Sequence, residues 1–127
     1  MEIKIIKSTK DELTKKGFTN KIKIHPSQTK EKLLQYGFTN YNPERLYFCR
    51  MLDKDISFNL SIDINTLEIL EIDILDEDFL QPYDYQSSII RGNPSKMEIR
   101  IFKAVNKLLT QLQEDGVIIG FTEGMYV

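Results

Sequence analysis

The chain has 127 residues, enough for one hydrophobic core, and its 41% hydrophobic and 28% charged side chains are ordinary for one globular domain. Its apolar runs are far shorter than the roughly 20 residues of a membrane-spanning helix, and the single cysteine, Cys49, excludes an internal disulfide. We therefore expect one soluble domain spanning residues 1–127, with no membrane partner.

The first residues begin a strand-like pattern, with neither the apolar stretch nor the cleavage site of a secretory signal. Together with the single cysteine, this pattern predicts a cytoplasmic protein. Isoleucine and lysine are abundant while Ala104 is the only alanine, a bias that AT-rich codons produce. We infer an AT-rich genome.

The charges are distributed unevenly, although the net charge is only −2. Residues 1–54 hold 12 basic and 6 acidic side chains, and residues 91–127 hold 5 and 4. Residues 55–90 hold 9 acidic side chains and no lysine or arginine. This acidic stretch is the clearest charge signal in the sequence.

The first 40 residues contain a duplicated strand-helix unit. Residues 9–20 recur as residues 29–40 with seven of twelve positions identical, and Ile3–Ile5 matches Ile22–Ile24. The repeat predicts two short helices, each following a strand. We interpret the repeated residues as helix caps, helix stops and core contacts, so that the duplication describes construction and not a repeated binding site.

The second copy of this unit has readable helix ends. Ser27 or Thr29 can cap the amino terminus, and Gly37 can adopt the left-handed conformation that ends a helix. The residue after the glycine, Phe38, is then expected to pack on Leu33.

Residues 44–75 predict an antiparallel meander of three strands. The segment from Leu46 to Leu52 has apolar residues on both faces, so we expect it to be central or covered on both sides. The segment from Ile56 to Ile64 alternates strictly between apolar and polar residues, and Leu70 to Ile74 continues this alternation.

The register of the last two strands follows from the acidic residues. A two-residue turn at 65–66 would place Glu71 and Asp73 on the buried face. We therefore predict a three-residue loop through Leu67 or a bulge near Ile69. The resulting pairs are Leu60 with Ile72 and Phe58 with Ile74.

Residues 76–94 form a long, acidic, tyrosine-rich connection in this prediction. A long helix follows over residues 95–115, with Ser95 and Glu98 as a possible capping box and Gly116 as its stop. Its apolar stripe consists of Met97, Ile101, Ala104, Val105, Leu108, Leu109 and Leu112. A final strand is predicted over residues 117–121.

These elements predict an α+β fold with a mixed, largely antiparallel sheet of about five to six strands. The two short helices belong to the duplicated unit, and the long carboxy-terminal helix is expected to pack on the sheet.

Neither catalytic nor cofactor motifs stand out. His25 is the single histidine, so we expect neither a Ser/His/Asp site nor a multi-histidine metal site, and we expect a structural role for His25. Cys49 is expected to be a small buried residue. We predict no cofactor and no enzymatic activity.

Carboxylates are the strongest argument for the alternative of a metal-dependent enzyme. Asp63, Glu71 and Asp73 should share the wet face of paired strands, and calcium or magnesium prefers such oxygen ligands. Because their spacing matches no metal-binding motif, we interpret them as a solvated face.

Lysines in the repeats allow a second alternative, weak nucleic-acid binding through clustered positive charge. The absence of arginine before Arg45 argues against specific readout. The lysines concerned are Lys10, Lys15, Lys16, Lys21, Lys23, Lys30 and Lys32.

The leading hypothesis is a non-catalytic accessory protein that binds a protein partner through an acidic, tyrosine-rich surface, since aromatic side chains on a surface are typical interface anchors. Folding of one or two of these aromatics back onto the sheet is the competing interpretation. The predicted contact residues are Asp73, Asp76, Glu77, Asp78, Phe79, Tyr83, Asp84 and Tyr85.

Overall fold

The structure, a computed structural model, describes residues 22–122. The described chain forms two compact units, one of residues 23–83 and one of residues 84–122 with Ile22. The first copy of the duplicated unit, residues 3–20, lies outside the described residues. In chain order the elements are β1 (Lys23–Ile24), α1 (Lys30–Tyr36), β2 (Thr39–Asn42), β3 (Arg45–Asp53), β4 (Ile56–Asp63), β5 (Ile69–Asp76), β6 (Gln81–Pro82), α2 (Gln86–Ile90), α3 (Lys96–Glu114) and β7 (Ile118–Ile119).

Helix α1 begins and ends where the sequence predicts. The Thr29 hydroxyl accepts a hydrogen bond from the N–H of Lys32 at 3.2 Å. At the other end Gly37 has a φ of 138°, and its N–H and that of Phe38 both donate to the Leu33 carbonyl. Leu33 and Phe38 are both buried. The helix ends of the second copy are therefore confirmed.

Strands β2 to β6 form one five-stranded sheet in the 23–83 unit, in chain order. All four strand pairs are antiparallel. The α+β class is confirmed, but the prediction of a mixed sheet is wrong for these strands. Consecutive strands are joined by short turns, whereas a parallel pair needs a long crossover connection.

A bulge in β5 sets the register against β4. Ser61 is opposite Glu71 while the next residue of β4, Ile62, is opposite Ile69, so Leu70 is the extra residue. Leu67 in the preceding turn has a φ of 61°. The predicted pairs are both confirmed: Leu60 with Ile72 and Phe58 with Ile74.

The side chains of every second residue in a strand point to the same side of a sheet. On one side of this sheet those side chains are apolar and buried. The fully or nearly fully buried residues on this face are Leu46, Phe48, Ile56, Phe58, Leu60, Ile62 and Ile74. The Phe48 ring lies 5.3 Å from that of Phe38 and 6.4 Å from that of Phe58, measured between centroids. These rings form the centre of the core of the 23–83 unit.

Of the two alternatives expected for residues 46–52, the first holds: β3 lies inside the sheet, between β2 and β4, and its face opposite the core is not fully covered. Tyr47 is half-buried, and Cys49 and Met51 are exposed. The apolar residues of β3 therefore belong to a strand with one buried face.

The 84–122 unit is organised by α3. Ser95 accepts a hydrogen bond from the Glu98 N–H at 3.3 Å, as half of the predicted capping box requires. Gly116 has a φ of 75°, and the Val117 N–H donates to the Leu112 carbonyl at 2.9 Å, which is the pattern of a glycine-terminated helix. The predicted stripe provides the buried side of α3, with five of its residues buried: Ile101, Val105, Leu108, Leu109 and Leu112.

Residues 76–94 are more ordered than a simple connection. β6 pairs with the end of β5, placing Pro82 opposite Leu75. The Asp84 carboxylate accepts hydrogen bonds from the N–H and the hydroxyl of Ser87 in α2. The final strand, predicted over residues 117–121, is limited to β7.

None of the helices in residues 22–122 combines the length and apolar content that crossing a membrane requires.

Candidate functional site

The turn between β5 and β6 presents the most exposed apolar residues of the acidic stretch. It consists of Glu77, Asp78, Phe79 and Leu80, and we call it the 77–80 turn. Asp76, the last residue of β5, organises the turn: its Oδ1 accepts from the N–H of Asp78 at 3.0 Å and of Phe79 at 3.3 Å. This side-chain cap fixes the backbone of the turn without using the side chains of Phe79 or Leu80.

Both apolar side chains of this turn face solvent. Phe79 is 72% exposed and Leu80 is 82% exposed. Leu80 also has a φ of 52°, a left-handed conformation that disfavours a residue with a branched side chain. A glycine or asparagine would satisfy this backbone at lower cost. The chain therefore holds two large apolar groups in water on a defined turn.

Negative charge surrounds the turn. Asp55, in the turn between β3 and β4, lies close enough that its carbonyl accepts from the Glu77 N–H at 2.7 Å. The charge of Asp55 raises the pKa of the Asp78 carboxyl above its ordinary value, and some loss of solvation and the charge of Asp76 add to this rise. The raised pKa of Asp78 reflects the repulsion that its carboxylate experiences from the charges of Asp55 and Asp76.

Two of the predicted contact residues have structural roles elsewhere. Glu77 accepts a hydrogen bond from the fully buried Ser57 hydroxyl. Asp84 holds the first turn of α2 through Ser87. Their carboxylates are therefore engaged within the chain.

Tyr85 corrects the predicted surface. It is fully buried, and its ring lies 6.3 Å from that of Phe102 in α3. Tyr83 is half-buried. Of the three aromatic residues in the predicted surface, the structure leaves Phe79 exposed and places Tyr85 in the core, so the prediction is wrong for Tyr85.

A second polar surface lies on the side of the sheet opposite the core, and we call it the solvent face, although Ser57 and Ser61 at its centre are buried between larger neighbours. Ser57, Asn59 and Ser61 of the central strand β4 alternate with its core residues. The register places Asn59 opposite Asp73, and Ser61 opposite Glu71. Its remaining residues are Arg45, Tyr47, Cys49 and Met51 on β3, Asp63 on β4, and Leu75 on β5. The predicted shared face of Asp63, Glu71 and Asp73 is confirmed.

Hydrogen bonds link Asn59, Ser57 and Glu77 at one end of the solvent face, and Ser61 does not take part in this network. Asn59 Nδ2 donates to Ser57 Oγ at 2.8 Å, and Ser57 donates to Glu77. Ser61, which is 5% exposed, has a hydroxyl with no hydrogen-bond partner in the described chain. Asp63 Oδ1 accepts from the N–H groups of Asn65 and Thr66, which lowers the pKa of Asp63.

Cys49 lies on this face and is exposed, so its predicted burial is wrong. Alternation explains the error, because Phe48 takes the buried position and the next residue must point to the opposite side. Partial burial of the thiol raises the pKa of Cys49, and the nearby Glu77 carboxylate raises it further.

We expect Cys49 to react slowly with alkylating reagents near pH 8, because a raised pKa leaves little thiolate. Glu77→Gln removes one of the two causes, lowers the pKa and should speed the reaction. Glu71→Gln is the matched control and should leave the rate unchanged. The measurement is the pH dependence of the iodoacetamide reaction rate, and an unchanged rate profile in Glu77→Gln would contradict the assignment.

His25 has the expected structural role. Its Nδ1 accepts from the Ser27 N–H at 3.0 Å and lies 2.7 Å from the Ser27 hydroxyl. In the described part of the chain, no three His, Cys, Asp or Glu side chains are grouped as a metal site would require.

The lysines of the nucleic-acid alternative are only partly described. Lys23, Lys30 and Lys32 are exposed, and Lys32 Nζ donates to the Ser27 carbonyl at 3.2 Å. Lys10, Lys15, Lys16 and Lys21 lie outside the described residues.

Two features were missed by reasoning from the sequence. Leu80 was not included with Phe79, although a leucine among acids and before Gln-Pro signals an exposed turn. The unpartnered hydroxyl of Ser61 has no sequence signal, since it depends on what the neighbouring strands place around it.

No known protein family matches the chain, and no curated protein matches its sequence. Among solved structures, the chain is similar to a DUF1831 family protein from Lactobacillus plantarum, with a TM-score of 0.59 and 12% sequence identity. The match covers 77% of this chain and 84% of that chain. At this identity the similarity shows the fold alone. The chain therefore shares an α+β fold with a member of a family whose designation denotes unknown function.

Proposed function

We propose that this protein is a non-catalytic accessory protein that binds a protein partner through the 77–80 turn. Phe79 and Leu80 are the apolar anchors, and Asp78 with Asp55 provides a negative rim. The observation that carries the proposal is the exposure of Phe79 and Leu80, at 72% and 82%, on a turn whose backbone is fixed by Asp76.

The free-energy cost of keeping Phe79 and Leu80 exposed supports a binding role for their side chains. An exposed phenylalanine and an exposed leucine gain little free energy in the folded chain, because their apolar surface stays in water. The left-handed backbone of Leu80 costs about 1 kcal/mol relative to glycine. Burial against a partner would recover the hydrophobic free energy that folding does not.

The charges define the complementary surface. Residues 55–90 contain no lysine or arginine, and Lys54, directly before Asp55 in the β3–β4 turn, is the nearest basic residue in the sequence. A partner that fits offers an apolar pocket with basic groups at its rim, which speeds association and rejects acidic competitors.

The test is the double variant Phe79→Ser with Leu80→Ser, compared with Tyr41→Ser. Tyr41 is 92% exposed on β2 and is therefore a matched aromatic that the proposal does not use. We expect the double variant to lower recovery of a specific partner from native cells by about tenfold or more, since central interface anchors contribute about 2 kcal/mol or more. Tyr41→Ser should leave recovery unchanged.

Stability provides the internal control. Because neither side chain of the 77–80 turn is buried, the melting temperature of the double variant should stay close to that of the parent protein. Full retention of every partner by the double variant, with an unchanged melting temperature, would refute the proposal.

A further inference from the structure

One line of residues crosses the solvent face close to the 77–80 turn. Met51 on β3 is opposite Ser57 on β4. Leu75 on β5 is opposite Ser57 on one side and opposite Pro82 of β6 on the other. Directly opposed residues of paired strands lie on the same face, so these four residues form one line across the sheet. We call it the 51–82 row.

The outward surface of the 51–82 row is apolar. Met51 is 53% exposed, Pro82 is exposed and Leu75 is half-buried. Ser57 is fully buried and its hydroxyl donates to Glu77, so it adds no polar surface to the row. Contiguous exposed apolar surface with a polar rim is typical of protein interaction sites, whereas single exposed apolar residues need no explanation.

The row continues the apolar surface of the 77–80 turn. Leu80, which is 82% exposed, lies two residues before Pro82 in the chain. The Glu77 N–H donates to the Asp55 carbonyl at 2.7 Å, so the turn starts where the β4–β5 ladder ends. The row lies one residue pair inside this end of the ladder. The turn and the row are therefore parts of one surface.

Negative charge borders the row on both sides. The segments 53–57 and 73–78, which contain its central residues, hold six acidic side chains and one basic side chain, that of Lys54. On one side of the row, Asp73 follows in the next line of the same face, opposite Asn59. On the other side Glu77 and Asp78 follow in the turn. A partner with an apolar stripe between basic groups complements this arrangement.

The length of the row indicates the size of the partner element. Neighbouring strands lie about 4.8 Å apart, so the distance across the sheet from β3 to β6 is about 14 Å. A helix rises about 1.5 Å per residue, so about ten residues, or three turns, cover this distance. An amphipathic helix presents an apolar stripe of this kind between charged residues and is a common form of binding element.

We propose that the partner of the 77–80 turn places an amphipathic helix across the 51–82 row, with lysine or arginine on both sides of its apolar stripe. Met51, Leu75 and Pro82 then join Phe79 and Leu80 as contact residues. This inference rests on the proposed function, because the row and the turn form one surface, and it adds the class of binding element and three contact residues.

Two other occupants fit the row less well. A partner strand pairs with the edge of a sheet, whereas the row lies on its face. In a two-fold symmetric pair of this chain, the row of the second copy would bring the same acidic side chains, and these would repel one another.

The experiment is a titration of the 15N-labelled full chain with a model peptide, monitored by the backbone amide signals. The probe is a helical peptide of about 14 residues made of leucine and lysine, with the leucines in one stripe. We expect saturable shifts centred on the amides of Met51, Ser57 and Leu75, and weaker binding at higher ionic strength. A peptide of the same composition with its leucines spread around the helix should bind about tenfold more weakly or not at all, as should a peptide with glutamate in place of lysine.

Single variants distinguish the row from general charge attraction, because they leave the charge unchanged. Met51→Ser should weaken binding of the striped peptide about fivefold or more, since it removes an apolar contact. Leu70→Ser is the matched control: Leu70 is 43% exposed at the bulge of β5, outside the row, and its replacement should leave the affinity unchanged. Both residues are exposed, so the melting temperatures of both variants should stay close to that of the parent protein.

The double variant Phe79→Ser with Leu80→Ser separates this inference from the proposed function. Weaker peptide binding by the double variant, with full binding by Met51→Ser, would overturn the inference and leave the turn as the binding surface. Loss of partner recovery from native cells in Met51→Ser, but not in the double variant, would support the row and refute the turn.

Three further results would each overturn the inference. They are shifts that do not saturate, equal affinity for the peptide with spread leucines, and a dimer of this chain that Met51→Ser abolishes. The last result, measured by light scattering, would assign the row to a second copy of the chain.

Discussion

Deleting Ile72 is expected to lower the free energy of unfolding by several kcal/mol, whereas deleting Leu70 from the same strand should cost about 1 kcal/mol. Leu70 is the extra residue of the bulge and has no direct partner on β4. Its removal leaves Ile69, Glu71 and Ile72 in regular alternation. The pairs of these residues with Ile62, Ser61 and Leu60 on β4 are therefore all retained.

Deletion of Ile72 does not allow the strand pairs to be retained in this way. Either Glu71 or Asp73 must then lie opposite Leu60, which is 2% exposed on the core face. Placing an unpaired carboxylate there, with the loss of one buried isoleucine, costs several kcal/mol. This is a large part of the 5–15 kcal/mol that stabilises a typical domain.

Urea denaturation of the two deletion variants provides the measurement. The deletion of Leu70 should show a cooperative transition near that of the parent chain, and the deletion of Ile72 should be unfolded or nearly so. Equal destabilisation by both deletions would contradict the bulge assignment.

Phe58→Ala should cost about 3–5 kcal/mol, the range for removing a fully buried phenylalanine. Phe58 is 0% exposed and its ring packs edge-on against that of Phe48, at a centroid distance of 6.4 Å. The cavity would lie beside Phe48, whose ring packs against that of Phe58, and beside Ile74, which is opposite Phe58 on β5.

Met51→Ala is the matched control for this prediction. Met51 is a large apolar residue in the neighbouring strand and is 53% exposed on the solvent face. Its removal should change the free energy of unfolding by less than about 0.5 kcal/mol. A similar cost for the two substitutions, measured by urea denaturation, would show that the two faces of the sheet have been assigned incorrectly.

Several elements of the fold were predictable because local chemistry determines them. Thr29 and Ser95 cap helices that follow, and Gly37 and Gly116 end helices with positive φ. The register of β4 and β5 was also predictable, because a slip of one residue moves an entire set of carboxylates to the core.

Other elements depend on contacts that are distant in the sequence. β6 has two residues, too few for a periodic pattern. The burial of Tyr85 depends on Phe102, which is 17 positions away in α3, while Phe79 has no ring partner among residues 22–122 and stays exposed. Composition alone does not distinguish Tyr85 from Phe79, whereas packing buries Tyr85 and leaves Phe79 exposed.

The candidate sites were predictable only as a region. The absence of lysine and arginine from residues 55–90 directed attention to the acidic stretch. Within it, the structure separates the 77–80 turn, whose apolar groups face water, from the solvent face of the sheet, whose central hydroxyl at Ser61 has no partner in the described chain.

The most direct test of partner binding replaces Phe79 with the photoreactive residue p-benzoylphenylalanine in the full chain, in native cells. Tyr41→p-benzoylphenylalanine is the control, since both positions are exposed aromatics. We predict a light-dependent adduct with one specific protein from position 79, lost when Leu80→Ser is added, and no such adduct from position 41. Identical adducts from both positions, or none from position 79, would contradict the proposal that this turn is the binding surface.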